Sequence, residues 1–349
     1  MEELEKEVKK QLRKHLRGVG GPTIENLVKR LGGLPYEKVL LTTDIGVMLA
    51  GANLRAGVEM LKAAPEVSRL IEAGDIRVWG EAGKRLSATN ADSAIGFFQT
   101  STAVLAAIPE DMRSPVLRLV NKQAALSANT AIECFKSAPT VIATIKDHED
   151  IAQILTICLE LARHSVKHSN DLFLTAPQVI SQIESHSNEQ SGQLIKRALS
   201  LTSSFAFRSG GTATEFFNEL PAVIIGADRT SVERLFDITE SYLDRSGGVA
   251  LQYFKAASRV LTIAGKDSFE RWTALAKRVA LQGNAASYHF MKQSPHIVAE
   301  LATRLNAQRR AEVVAAVLEI AAGSPAVPLA ARRASGSLLR PVRRLSASR

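Results

Sequence analysis

The residues of this chain whose types and spacing could do chemistry form a few small sets. Two Arg-Ser-Gly-Gly copies, Arg208 to Gly211 and Arg245 to Gly248, stand 37 residues apart. Successive glycine amides ahead of a helix can cradle an anion. A second glycine cluster, RGVGGP at Arg17 to Pro22, lacks the preceding strand and the full spacing of a dinucleotide fingerprint. His164 and His168 have the four-residue spacing of two metal ligands on one helical face, but no Glu stands between them and Ser165 interrupts the run. Cys134 and Cys158 are the only cysteines, candidates for a nucleophile or a disulfide. Trp79 and Trp272 could stack on a base. The last 19 residues hold six arginines and no acid, and Arg332, Arg333, Arg340, Arg343 and Arg344 are the candidate contacts to an anion or a nucleic-acid backbone. Within that tail RRAS and RRLS carry the Arg-Arg-x-Ser pattern that basophilic kinases favour.

Most of these residues occupy fixed places in a repeat. Anchors at Leu61, Phe98, Phe135, Phe173, Phe217, Phe254 and Met291 follow one another at spacings of 37, 37, 38, 44, 37 and 37 residues. Four residues after each anchor stands Pro65, Thr102, Pro139, Pro177, Pro221, Ser258 or Pro295, and two further on a Val or Ile. Four before it lies a small residue, from Ala94 and Ala131 to Ser287. Nineteen before it, Trp79 and Trp272 share a column with Val116, Ile154, Ala198 and Leu235. That placement makes both tryptophans core fillers. The two RSGG copies become punctuation of adjacent repeats, and the cysteines become small packing residues. The carboxylates are scattered as on solvated helix faces, with no pair set apart for acid–base work.

Elements of helical period must position these columns. Apolar residues at i, i+3 and i+4, as in Val116, Leu119 and Val120, line one face of a first helix. A break of polar or glycine residues (Thr89-Asn90, Ser127, Ser165, Ser209-Gly210-Gly211, Ser246-Gly247-Gly248) ends it and caps a second helix. The second helix carries the small residue and the aromatic anchor on one side. The proline suits the first turn of a short third helical segment. No unit buries its apolar face alone, so neighbours must stack. The expected fold is all-α: an α-solenoid, or superhelix, of about seven 37-residue helical repeats with capping helices.

Three parts follow: an N-terminal helical cap at 1–49, the helical-repeat solenoid at 50–330 and a basic disordered tail at 331–349. In the cap, Leu4, Val8, Leu12 and Leu16 make a narrow stripe, Thr23 is a candidate cap, and Gly32-Gly33 end a short helix. KVLLTT (Lys38 to Thr43) reads equally as a short strand. Ala311 to Gly323 reads as the first helix of a degenerate eighth unit, and the 44-residue spacing places an insertion at Glu184 to Gln193.

Composition narrows the class. The 349 residues are 46% apolar and 23% charged, which excludes collagen, a disulfide-stapled scaffold and a disordered chain. No run is long and apolar enough for a transmembrane segment, and the start lacks a signal-peptide core, so a cytoplasmic location is expected. The formal charge of +9 belongs mostly to the ends: +6 on the last 19 residues and +2 on the first 17 leave about +1 for residues 18–330.

The columns and the fixed proline resemble HEAT and armadillo-type α-solenoids over about residues 50–330. More narrowly, RVWGEAGKRL (Arg77 to Leu86), YFKAAS (Tyr253 to Ser258) and MKQSPHIV (Met291 to Val298) are similar to the helical-repeat regions of some large bacterial von Willebrand A domain proteins. Those include relatives of the nitric oxide reductase activation protein. The Asp-x-Ser-x-Ser metal motif of the von Willebrand A domain is absent here. The narrower resemblance therefore implies the scaffold arm without the metal-binding module.

The functional expectation is a non-enzymatic protein–protein interaction scaffold, with another protein as partner and no cofactor, metal or catalytic residue. The alternative is a HEAT-like nucleic-acid-binding or processing protein that uses the basic C-terminal tail.

Overall fold

The structure, a computed structural model, describes residues 2–186 and 191–304, and every element among them is a helix. The chain divides into two compact units, Met1–Ser181 and a second that begins at Gln182. The first contains α1 (Glu2–His15), α2 (Gly21–Leu31), α3 (Tyr36–Ala52), α4 (Leu54–Leu70), α5 (Ala73–Thr89), α6 (Ala91–Ala106), α7 (Glu110–Ala124), α8 (Ala128–Thr144), α9 (His148–Leu161) and most of α10 (Val166–His186). The second contains α11 (Ser191–Arg208), α12 (Gly210–Gly226), α13 (Arg229–Leu243), α14 (Gly247–Ala280) and α15 (Asn284–Arg304).

Each unit is a solenoid-like stack in two layers. In the first, α3, α5, α7 and α9 pack in succession, α4, α6 and α8 do the same, and α3–α4, α5–α6 and α7–α8 close hairpins between the layers. In the second, α11 packs on α12 and α13, α12 and α13 both pack on α14, and α14 packs on α15. The buried residues are the columns of the repeat. All seven anchors are buried, as are the small residues four before them and the six residues nineteen before them. Gly57 extends the small column, and its α-carbon lies so close to the Ala50 backbone of α3 that a methyl group would collide with it.

The hairpin breaks also fall in register. The residue eight before each anchor is Asn53, Asn90, Ser127, Ser165, Ser209, Ser246 or Gly283. Asn53, Asn90, Ser127, Ser165 and Ser246 accept a hydrogen bond from a backbone amide in the first turn of the helix that follows. This capping is worth about 1 kcal/mol per helix. Gly283, at φ +122°, replaces the cap with a left-handed turn that other residues rarely adopt.

Four local expectations change. KVLLTT is helical, inside α3, because α3 meets α1, α4 and α5 and is apolar on several sides. Its threonines satisfy their own hydroxyls by donating to backbone carbonyls, Thr42 to that of Lys38 and Thr43 to that of Val39. Thr23 does not cap α2: Gly20 occupies that position and Pro22 fills the first turn. Among the described residues the repeats have no third helical segment, because Pro65, Pro139, Pro177, Pro221 and Pro295 lie inside the second helix of their repeats. An interior proline costs about 3 kcal/mol in isolation. Here the last turns are pinned by the valines that follow (Val67, Val141, Val179, Val223), which are buried in the stack. Finally, α14 runs 34 residues through a junction where the other repeats break. It carries Ser258 instead of proline, and Gly265 stands where the preceding repeat has its capping Asp228.

Candidate functional site

The proposed chemical residues are mostly absorbed by packing. Trp79 and Trp272 are fully buried. Trp79 donates through Nε1 to Ser101 Oγ at 2.8 Å, and Trp272 to Ser294 Oγ at 2.7 Å. The two pairs occupy the same two columns in different units, and serine stands there only where tryptophan stands opposite. Elsewhere the columns trade volume: Ala opposes Val116, Ile154 and Leu235, whereas Leu220 opposes Ala198. Neither indole is available to stack on a ligand.

Cys134 and Cys158 are free thiols, both buried. Burial pushes both thiols well above the ordinary cysteine range, which keeps them protonated and unreactive in the native fold. They flank a buried polar cluster in which Gln123 Nε2 donates to Ser169 Oγ and Ser169 Oγ donates to the Cys158 carbonyl. His164 lies in the turn after α9, near Glu160, and His168 lies in the first turn of α10, so the two do not share a helical face. Among the described residues no group of three His, Cys, Asp or Glu side chains could hold a metal ion.

The RSGG copies sit at hairpin turns. Ser209 and Ser246 are the N-cap residues of α12 and α14, Arg208 pairs with Asp244 at 3.0 Å, and Arg245 donates to the Ala280 carbonyl at 3.3 Å. RGVGGP forms the turn into α2, with Gly18 at φ +99°. The tail arginines Arg332, Arg333, Arg340, Arg343 and Arg344, the eighth-unit segment 311–323 and residues 187–190 of the insertion lie outside the described residues.

The three most exposed of the large aliphatic and phenylalanine side chains among the described residues lie on the edge formed by the hairpin turns. Leu126, Phe207 and Leu281 stand one or two residues before the capping column, and Phe207 and Leu281 are 67% and 78% exposed. In the second unit this edge holds an open pocket of about 330 Å³ between the C-terminal turns of α13 and α14. Tyr242, Arg245, Lys277, Arg278 and Leu281 line it. Tyr242 is 3% exposed, and its hydroxyl has no hydrogen-bond partner among the described residues. Burial pushes this phenol up to about 12, and the nearby Arg245 guanidinium offsets part of that rise. At neutral pH it is protonated, and its oxygen is closed off from solvent.

Of the pocket residues, only Arg245 drew notice in the sequence, as part of an RSGG copy. The signal lay in departures from the columns: Lys277, Arg278 and Leu281 replace the Glu240, Ser241 and Asp244 of the preceding repeat. Among the described residues no helix is long and apolar enough to cross a membrane. Comparison with known protein families, with curated proteins and with solved structures finds no match for this chain.

Proposed function

We propose that this protein is a non-enzymatic interaction scaffold of the HEAT or armadillo kind, acting in the cytoplasm on another protein. The observation that carries the reading is the hairpin-turn edge, which presents large apolar side chains next to the capping column in both units, Leu126 in the first and Phe207 and Leu281 in the second. The residues that could have done chemistry, the thiols and indoles, are spent on the interior. A stacked array offers one geometry at every step, suited to an extended protein segment. The test is affinity isolation of the full chain from its native cell after nuclease treatment, followed by light scattering of the recovered complex. The expected result is a stoichiometric protein partner. Recovery of nucleic acid alone, or a cofactor bound one-to-one to the purified chain, would overturn the reading.

A further inference from the structure

Two successive edges of the second unit are built from equivalent positions and carry opposite charge logic. Between α11 and α13 the arginines are answered: Arg208 by Asp244, and Arg197 by Asp237 and Glu240, at 2.7 to 3.0 Å. One repeat on, between α13 and α14, the position of Asp244 holds Leu281, that of Glu240 holds Lys277 and that of Ser241 holds Arg278. Arg245, the counterpart of Arg208, reaches only a backbone carbonyl there. Of the carboxylates that closed the first edge, Asp244 gives way to Leu281, Glu240 to Lys277 and Asp237 to Ala274, and Arg278 stands in place of Ser241. Arg234, the counterpart of Arg197, keeps a partner in Glu270. The result is a pocket with three basic side chains on its wall, an apolar rim and a buried phenol whose hydroxyl lacks an acceptor.

Basic residues in the last turn of a helix commonly serve its macrodipole, and Lys277 and Arg278 stand in that position on α14. That role explains cations at a C-terminus. It does not explain why an apolar side chain displaces the acid that would have paired with Arg245.

We propose that this pocket binds an acidic segment of a partner protein, with a carboxylate against Arg245, Lys277 and Arg278 and an aliphatic side chain against Leu281. Tyr242 forms part of the pocket wall. A charged group held by several donors in a partly desolvated pocket is the kind of contact that dominates peptide affinity. The missing Asp244 and Glu240 equivalents arrive with the ligand. This inference rests on the scaffold reading and names the chemistry of the partner at one edge.

The experiment uses the full chain and a fluorescein-labelled nonapeptide of three Asp-Leu-Glu units, followed by fluorescence anisotropy. The expected result is saturable binding that weakens at least about tenfold in the triple variant Lys277→Glu, Arg278→Ser, Leu281→Asp. That variant copies the neighbouring, self-paired edge, so its fold has a precedent one repeat away. Nona-glutamate is expected to bind less tightly than the mixed peptide, because it lacks the aliphatic contact. Equal binding by the triple variant would overturn the proposal, as would displacement of the peptide by oligothymidylate at lower concentration than by nona-glutamate. A native protein partner still retained by the triple variant would sink the pocket and leave the scaffold reading standing. Peptide binding that depends on the pocket in a chain that recovers no protein partner would do the reverse.

Discussion

The two units use the same apolar columns but join successive repeats with different polar contacts. In the first unit, long cations reach backbone carbonyls at helix ends. Lys38 donates to the Ser68 and Ile71 carbonyls, Arg85 to that of Asn121, and Arg113 to those of Leu70, Leu105 and Ile108. These side chains are partly buried. In the second unit surface ion pairs prevail: Arg197 with Asp237 and Glu240, Arg208 with Asp244, Arg234 with Glu270, and Lys255 with Glu215. Each unit has an exception, the Arg30–Glu66 ion pair in the first and Arg245 on the Ala280 carbonyl in the second. A carbonyl contact has no separate counter-charge to lose, so its geometry is hard to convert. An ion pair is undone by changing one residue, and α14 shows the outcome, an edge whose cations face solvent. The columns fix the stack; the positions between them are free to become a site.

The largest effect should come where the units are alike. Trp79→Ala and Trp272→Ala each remove a fully buried indole and leave Ser101 or Ser294 without its donor. Each is expected to cost about 3–5 kcal/mol, read from urea unfolding. Hydrogen exchange should accelerate first in α5 and α6 for the one and in α14 and α15 for the other. A Trp272→Ala cost far below that of Trp79→Ala would break the equivalence of the columns.

The next effect should separate the units. Arg113→Met keeps the aliphatic stem and removes three contacts to helix-end carbonyls, two of them in the preceding repeat and one in the repeat before that. The expected loss is about 1.5–3 kcal/mol, the range for hydrogen bonds from a charged group. It should be nearly the same at low and high salt. A loss that vanishes in high salt would mean that Arg113 acts as a surface charge and not as a cap for α4 and α6.

How far the sequence revealed the molecule follows from the same division. The columns were legible because every repeat makes the same burial demand, so Phe98, Phe135 and Phe254 could be recognised as equivalents and the tryptophans assigned to the core. The capping positions were legible because Asn90 and Ser127 serve one backbone requirement. The proline's place was misread because local propensity disfavours proline inside a helix, whereas Val67 and Val141 hold the turn after it through tertiary burial. KVLLTT was ambiguous because a helix buried on several sides loses its amphipathic period. The pocket escaped notice because Lys277, Arg278 and Leu281 differ from their equivalents. A search for recurrence passes over positions where one repeat departs from the rest, and a binding site in an array is built from such departures.

A third difference is chemical. Burial raises both thiols of the first unit above their ordinary range, so the folded state holds its protons where the unfolded chain has begun to release them. Their contribution to stability is complete below about pH 8.5, the unfolded value, and falls as pH rises above it. At pH 8.5 the two together should cost about 0.8 kcal/mol. The Cys134→Ser, Cys158→Ala double variant should lose that slope while retaining any slope that begins near pH 10, where unfolded tyrosines start to ionise. In the second unit it is Tyr242 and Tyr253 that burial raises, so its decline should start later. Simultaneous alkaline loss of exchange protection in α8 and α13 would contradict this ordering.

The smallest effect tests the surface joints. Arg208→Met removes an exposed ion pair with Asp244, and exposed pairs are worth about 0.2–1 kcal/mol at low salt. Screening shortens the reach of such charges to about 3 Å at 1 M salt, so the cost should shrink toward zero there. Arg245→Met, one repeat on, has no carboxylate to lose. Its stability cost should therefore be the less salt-dependent of the two, although it stands at the equivalent place. If both variants respond to salt alike, Arg245 has an anionic partner within the chain and the edge at α14 is as closed as its neighbour. If only Arg208→Met responds, the contrast between the two edges holds in solution, and the charge at α14 is free for a ligand.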